Sequence, residues 1–235
     1  MRGFTAVALL CSSVTVSAHV RASQQESQHV RAGGTTGPCD IYAQAGTPCV
    51  AAHSVVRALY GNYSGPLYEV ERLVDGEKKH IGVLSRGGFA AAALQDAFCR
   101  RSACVVAQIF DQSPHGNHLA PPTKSGGRPY QCPATGCLPV NATKQQHTVA
   151  GNPVWGAVFE GSMGYRNDNT SGIAIGDEPE TMYMVASGTY YSDGCCFDYG
   201  NAELDMKDDG TGTMEVNALL ERVCRSQATV IKMDC

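Results

Sequence analysis

The sequence is short of charge. Only 17% of its residues are charged, and 22 Asp plus Glu outnumber 18 Lys plus Arg, a formal net charge of -4. A protein that tracks nucleic-acid phosphates carries a basic stripe, so no nucleic-acid partner is expected. Long apolar runs are missing too. Residues 4–10 form an apolar stretch too short to span a bilayer, and no later stretch is long enough, so no membrane partner is expected. No Cys-x-x-Cys pair stands at zinc spacing, so no metal site is predicted. The Gly-x-Ser-x-Gly elbow of serine hydrolases is absent, as are a phosphate loop and βαβ alternation. No cofactor is implied. What remains is 43% apolar residues, enough for a core, with Gly 26 and Pro 11 marking many turns. That composition favours a loop-rich β protein over a helical bundle.

The N-terminus sets the compartment. Residues 1–18 read as a secretory signal, with Arg2 as the charged start and Val16-Ser17-Ala18 as a small-x-small cleavage site. Residues 19–36 repeat His-Val-Arg-Ala at His19 and His29 among Gln, Ser and Gly, and read as a pro-segment or flexible arm. Of 11 cysteines, Cys11 lies in the signal. The other ten, in an exported chain, read as disulfide partners. Near neighbours pair naturally: Cys39 with Cys49, Cys99 with Cys104, Cys132 with Cys137. The pairing of Cys224 and Cys235 stays open. Sequons stand at Asn62, Asn141 and Asn169, as suits glycosylated surface loops.

Short strands follow. Residues 67–74 alternate and turn at Asp75-Gly76, and 80–84 return as a hairpin. Residues 105–110, 153–159 and 181–185 are further strands, with 188–191 a possible extension. Residues 89–98 are Ala-rich and helical in pattern, and 50–60 have the spacing of one short helix. Many short strands with Gly-rich turns predict a sandwich or barrel.

Three stretches could carry chemistry. Adjacent Cys195-Cys196 either form a strained ring with an apolar sulfur face or pair elsewhere. Phe197-Asp-Tyr-Gly-Asn-Ala-Glu203 mixes aromatics with carboxylates, as sugar sites do. Asp198 and Glu203 are either an acid and base or solvated strand-end groups. Asp111-Gln-Ser-Pro-His-Gly-Asn-His118 could be read as ligands at Asp111, His115 and His118. A turn explains these residues more simply, because Asp and Asn bond their own backbone and Gly supplies positive φ.

Motifs now run in order: Gly37-Pro-Cys-Asp-Ile-Tyr, Thr47-Pro-Cys-Val-Ala-Ala-His-Ser, Arg57-Ala-Leu-Tyr, Tyr63-Ser-Gly-Pro-Leu-Tyr, Gln95-Asp, Phe98-Cys, Asp111-Gln-Ser, Gly116-Asn-His-Leu, Gly164-Tyr-Arg-Asn and Cys195-Cys-Phe-Asp-Tyr-Gly-Asn-Ala-Glu. Over residues 37–215 the chain resembles the catalytic domain of glycoside hydrolase family 54, the α-L-arabinofuranosidase B family. The resemblance implies an all-β sandwich of jelly-roll (concanavalin-like) type. It implies retaining release of terminal α-L-arabinofuranosyl groups from arabinan and arabinoxylan, so the expected partner is plant cell-wall polysaccharide, met as a monomer. It implies disulfides Cys39–Cys49, Cys99–Cys104 and Cys195–Cys196, the last packing against the sugar as the substrate-binding wall.

The likeness stops after Met214-Glu215. The family continues to an Asp-x-Glu nucleophile segment, an Asp acid/base and an arabinose-binding β-trefoil. Residues 216–235 differ: Val216, Leu219, Leu220 and Val223 fall at helical spacing, and Glu221 in Leu-Leu-Glu-Arg does not match the nucleophile. The expectation is a truncated or mis-spliced product, its sandwich incomplete at the C-terminal end, with no catalytic residue in this chain. The rival reading is a non-catalytic carbohydrate-binding sandwich, and a weaker one gives the adjacent cysteines a redox role.

Overall fold

The computed structural model describes residues 35–122, 136–187, 197–202, 212–218 and 230–234. The chain divides into two units, Met1–Gly33 and Gly34–Cys235, and every described residue belongs to the second. No helix among the described residues is long and apolar enough to cross a membrane.

The unit opens with α1 (Pro38–Gln44), where Pro38 stands in the first turn and needs no N–H partner. Asp40 Oδ2 accepts the N–H of Gly37 at 2.7 Å and of Gly61 at 2.6 Å, which caps α1 and ties it to the chain ahead. Gly37 is required here, because a Cβ would sit 2.1 Å from the Leu59 carbonyl oxygen. The Cys39–Cys49 disulfide closes this corner, and both cysteines are buried.

The first sheet has the order β2-β1-β3, built from β1 (Pro66–Arg72), β2 (Lys78–Gly82) and β3 (Cys104–Ile109), all antiparallel. Gly76, at φ 70, makes the hairpin turn that Asp75-Gly76 signalled. Leu67 and Tyr68 are adjacent, yet both are buried. The register shift between Pro66 and Tyr68 is the cause, since a bulge turns successive side chains to one face. The Ala-rich segment forms α2 (Ala92–Cys99), and Gln95 on it is fully buried. Gln95 accepts the Tyr68 hydroxyl at 2.5 Å and donates to the Ala142 carbonyl at 2.5 Å, so the buried amide is paired on both sides.

Three further groups of strands complete the unit. β4 (Gln145–Val149) pairs with β5 (Asn152–Gly156); β9 (Thr213–Ala218) lies between β6 (Gly164–Asn167) and β8 (Phe197–Ala202); β10 (Val230–Asp234) pairs with β7 (Met182–Ala186). The main apolar core joins the first sheet to the β4–β5 and β6–β9–β8 groups, while Tyr183 of β7 packs on a second cluster of Cys39, Cys49, Ala52 and Leu59. Tyr68, Val70 and Ile81 of the first sheet pack in the same cluster as Val154, Tyr165 and Met214 of the others. Strand layers facing across a shared core make this an all-β sandwich. The Tyr165 hydroxyl crosses that core, donating to the Val106 carbonyl at 2.7 Å and accepting from the Val140 N–H at 2.9 Å.

Two expectations fail. Residues 50–60 form no helix; they run as an irregular chain bridged at His53↔Asp111 and Arg57↔Phe89. Side chains capture the N–H groups that a helix would use: Asp111 takes Ala52, Ser54 takes Val56 and Arg57, and Gln112 takes Leu59. The helical reading also fails at Val216, the one of its four residues that is described. Val216 sits in β9, opposite Tyr165 on one side and Tyr199 on the other. Pairing on both edges outweighs a local pattern. Leu219, Leu220, Glu221 and Val223 lie outside the described residues, as do residues 188–191.

Candidate functional site

The loop 111–118 is the hub. Asp111 is 4% exposed and accepts four hydrogen bonds. Its Oδ1 takes the N–H of Ala52 at 2.7 Å and of Ser113 at 2.8 Å; its Oδ2 takes the Ser113 hydroxyl at 2.6 Å and the Asn117 N–H at 2.8 Å. Gly116 closes the turn at φ 72. A carboxylate filled from four sides organises a loop. Among the described residues no group of three or more His, Cys, Asp or Glu is placed to hold a metal ion. His118 Nδ1 accepts the Asp111 N–H at 3.0 Å, and His115 faces Ser171 at the surface.

The hub reaches two other segments. Asn117 donates to the carbonyls of Val50 and Ser171, each at 2.9 Å, and accepts the Ser171 N–H at 2.8 Å. His53 is 2% exposed, with Nε2 2.7 Å from the Asn117 carbonyl and Nδ1 2.9 Å from the Tyr199 hydroxyl. A carbonyl can only accept, so Nε2 donates to Asn117, and in the neutral ring Nδ1 then accepts from Tyr199. Tyr199 belongs to β8, the strand that follows Cys195-Cys196 in sequence. The buried imidazole therefore fixes the strand that leads out of the adjacent cysteines. Asn201, also on β8, donates to the Ala174 carbonyl at 2.6 Å and accepts the Gly212 N–H at 3.1 Å.

A cavity of about 360 Å³ lies beside this network, between residues 42–50 and the loop 172–182. Its walls include Tyr42, Val50, Ile173, Met182 and Met214, with Glu178 and Glu180 at the rim loop. Glu178 is already used in part, since its Oε2 accepts the Ile175 N–H at 2.9 Å. Gly200 of β8 meets Met182 here at φ 136, and a Cβ would come within 2.0 Å of the Met182 sulfur. Apolar walls with an aromatic ring and carboxylates suit a sugar, which stacks its C–H faces and bonds its hydroxyls.

Cys39–Cys49 and Cys99–Cys104 are formed as the resemblance implied. Cys137 is disulfide-bonded as well. The other described cysteines are already paired, so its partner lies outside the described residues. Cys195, Cys196 and Glu203 also lie outside them, and of Asp198 only its backbone place in β8, opposite Asn217, is described. Asn62, Asn141 and Asn169 are all exposed. The sequence reading passed over His53, Asn117 and Tyr199 as functional residues. Their roles rest on contacts across long sequence separations, and nothing local signals those. Removing both Cys39 and Cys49 by substitution with Ala is expected to cost about 3 kcal/mol through the lost loop constraint, read as a lower urea midpoint.

The strands pack as a β-sandwich with a loop-built cavity beside the hydrogen-bonded hub. A family model described as alpha-L-arabinofuranosidase B, catalytic, matches residues 38–229, and the chain belongs to that family. It is 50% identical over 186 residues to a probable alpha-L-arabinofuranosidase B of Aspergillus fumigatus, and 50% identical over 183 residues to alpha-L-arabinofuranosidase B of Emericella nidulans. Each match covers 76% of this chain, which spans 35% of the length of these curated relatives. Two crystal structures are similar at TM-score 0.67 and 44% identity, covering 72% of this chain and 35% of theirs. One is an arabinofuranosidase complexed with arabinofuranosyl-alpha-1,2-xylobiose, the other a family 54 α-L-arabinofuranosidase soaked with a cyclic sulfate inhibitor.

Proposed function

We propose that this chain is part of a secreted α-L-arabinofuranosidase that releases terminal α-L-arabinofuranosyl residues from arabinan and arabinoxylan with retention of configuration. The observation that carries the reading is the buried His53–Tyr199 contact, which holds the strand following Cys195-Cys196 beside a sugar-sized cavity. A held strand supports a fixed sulfur wall, as the family resemblance assigns to the adjacent cysteines. The names of the relatives and the xylobiose-linked ligand of one neighbour support the substrate class. The apparent signal at residues 1–18 and the exposed sequons support export and glycosylation at Asn62, Asn141 and Asn169.

Retaining hydrolysis needs a nucleophile and an acid/base about 5–5.5 Å apart. The described site supports the sugar-binding part of that chemistry. Calorimetry with L-arabinose and arabinoxylo-oligosaccharides is expected to give heat at millimolar ligand. No heat at millimolar sugar removes the binding part of the proposal.

A further inference from the structure

A second cavity, of about 350 Å³, lies on another part of the sandwich, between the β1–β2 turn and the loop after α2. Its lining is Val74, Ala97 and Phe98 with Ser102, and its charged residues are Arg72, Asp75, Arg100 and Arg101, Asp75 being held by Arg72. The two loops are joined. Ser102 Oγ accepts the Val74 N–H at 3.3 Å, the Leu73 N–H donates to the Ala103 carbonyl at 2.9 Å, and Cys99–Cys104 staples the loop that carries both arginines.

The charges at this groove are unequal. Arg72 lies over the Phe98 ring at 4.7 Å and is neutralised by Asp75 and Glu77. Arg100 and Arg101 are exposed, and no hydrogen bond or ion pair among the described residues holds either guanidinium. Two free guanidinium groups on a stapled loop, in a chain of net charge -4, face a groove with apolar walls. Guanidinium forks match carboxylates, and the C–H face of a sugar ring packs on Val74 and Ala97. Two cations are too few for nucleic acid, where affinity grows with the number of phosphates neutralised.

We propose that this groove is an ancillary site for a uronate-bearing glycan, with Arg100 and Arg101 taking the carboxylates. It rests on the reading of this chain as one that works on plant cell-wall polysaccharide, and it lets an acidic stretch of wall anchor the chain while neutral side groups meet the first cavity.

Isothermal titration of the full chain with trigalacturonate, beside xylotriose as the neutral control, tests it. Trigalacturonate is expected to bind at least about tenfold tighter than xylotriose. Arg100→Gln and Arg101→Gln are each expected to weaken it about fivefold, the range of an exposed charge pair. The double variant falls to the xylotriose level, and 0.5 M salt, which shortens the Debye length to a few Å, does the same to the parent chain. Equal binding of both sugars, unchanged binding in the double variant, or displacement by equimolar inorganic phosphate overturns the proposal. Trp155, the only tryptophan, is hydrogen-bonded at 2.8 Å to Asp96 of α2, so its emission reports that each variant is folded. Arabinose binding is measured on the same samples. Its loss with trigalacturonate binding intact counts against the arabinofuranosidase reading alone.

Discussion

Asp111→Ala is expected to destabilise the fold strongly, lowering its urea midpoint. The substitution strands three buried donors at once, the N–H groups of Ala52, Ser113 and Asn117. Each unsatisfied donor costs about 1–3 kcal/mol, so about 4 kcal/mol or more is lost. A domain holds only about 5–15 kcal/mol in total. The damage also spreads, because Asn117 then no longer presents its carbonyl to His53 in a fixed place. Asp111→Asn keeps one acceptor oxygen but turns an NH₂ towards the other donors, so an intermediate loss of about 2 kcal/mol is expected. Urea titration followed by Trp155 emission checks both. A midpoint for Asp111→Ala within 0.5 M of the parent would show that the hub carries little of the fold's stability.

The chain is expected to unfold in alkali between about pH 10 and pH 12, driven by three tyrosines. Burial pushes the Tyr68 and Tyr165 phenols far above their ordinary range. Burial, with the Asp111 carboxylate nearby as a smaller cause, pushes Tyr63 up to about 12. An unfolded tyrosine loses its proton near pH 10, while these folded ones keep it. Above pH 10 the unfolded state therefore binds fewer protons than the native state, and stability falls as pH rises. Each fully buried phenol removes up to about 1.4 kcal/mol per pH unit, so Tyr68 and Tyr165 together remove up to about 3, and half-buried Tyr63 adds less because solvent screens it. Their contribution is fully present below pH 10. Phenolate absorbance at 295 nm is expected to rise in one cooperative step together with loss of the folded circular dichroism signal. Tyr165→Phe is expected to weaken the fold at neutral pH by about 1–2 kcal/mol, since the Val106 carbonyl and Val140 N–H lose their partner. The same variant reduces the alkaline slope by at least about a third. A smooth rise in absorbance with no change in dichroism would mean that the three phenols ionise without unfolding.

Much of the site's surroundings was legible in the residues. Asp75-Gly76 signalled its hairpin because few dipeptides adopt positive φ so readily. The alternation after Pro66 signalled β1, and the closeness in sequence of Cys99 and Cys104 signalled their bond. The motif order from Gly37 to Glu203 signalled the family. The hub was read only as a turn. That reading holds for Ser113, Gly116 and Asn117, but it missed that the same carboxylate reaches Ala52 across the fold. The failures share a cause. Residues 50–60 and Val216 carry helical spacing, and in both places partners distant in sequence took the backbone groups first.

The sequence by itself determined the class of protein, because composition, cysteine spacing and ordered motifs are local and survive without coordinates. It determined the all-β character, since alternation and turn residues act within a few positions. Only the tertiary structure decided that His53 meets Tyr199, that Gln95 bridges Tyr68 to Ala142, and that Arg100 and Arg101 share a groove with Val74 and Phe98. Most of these pairs stand tens to more than a hundred positions apart in sequence. Their partners are chosen by which buried polar groups remain to be satisfied once the layers have packed, and no local pattern encodes that choice.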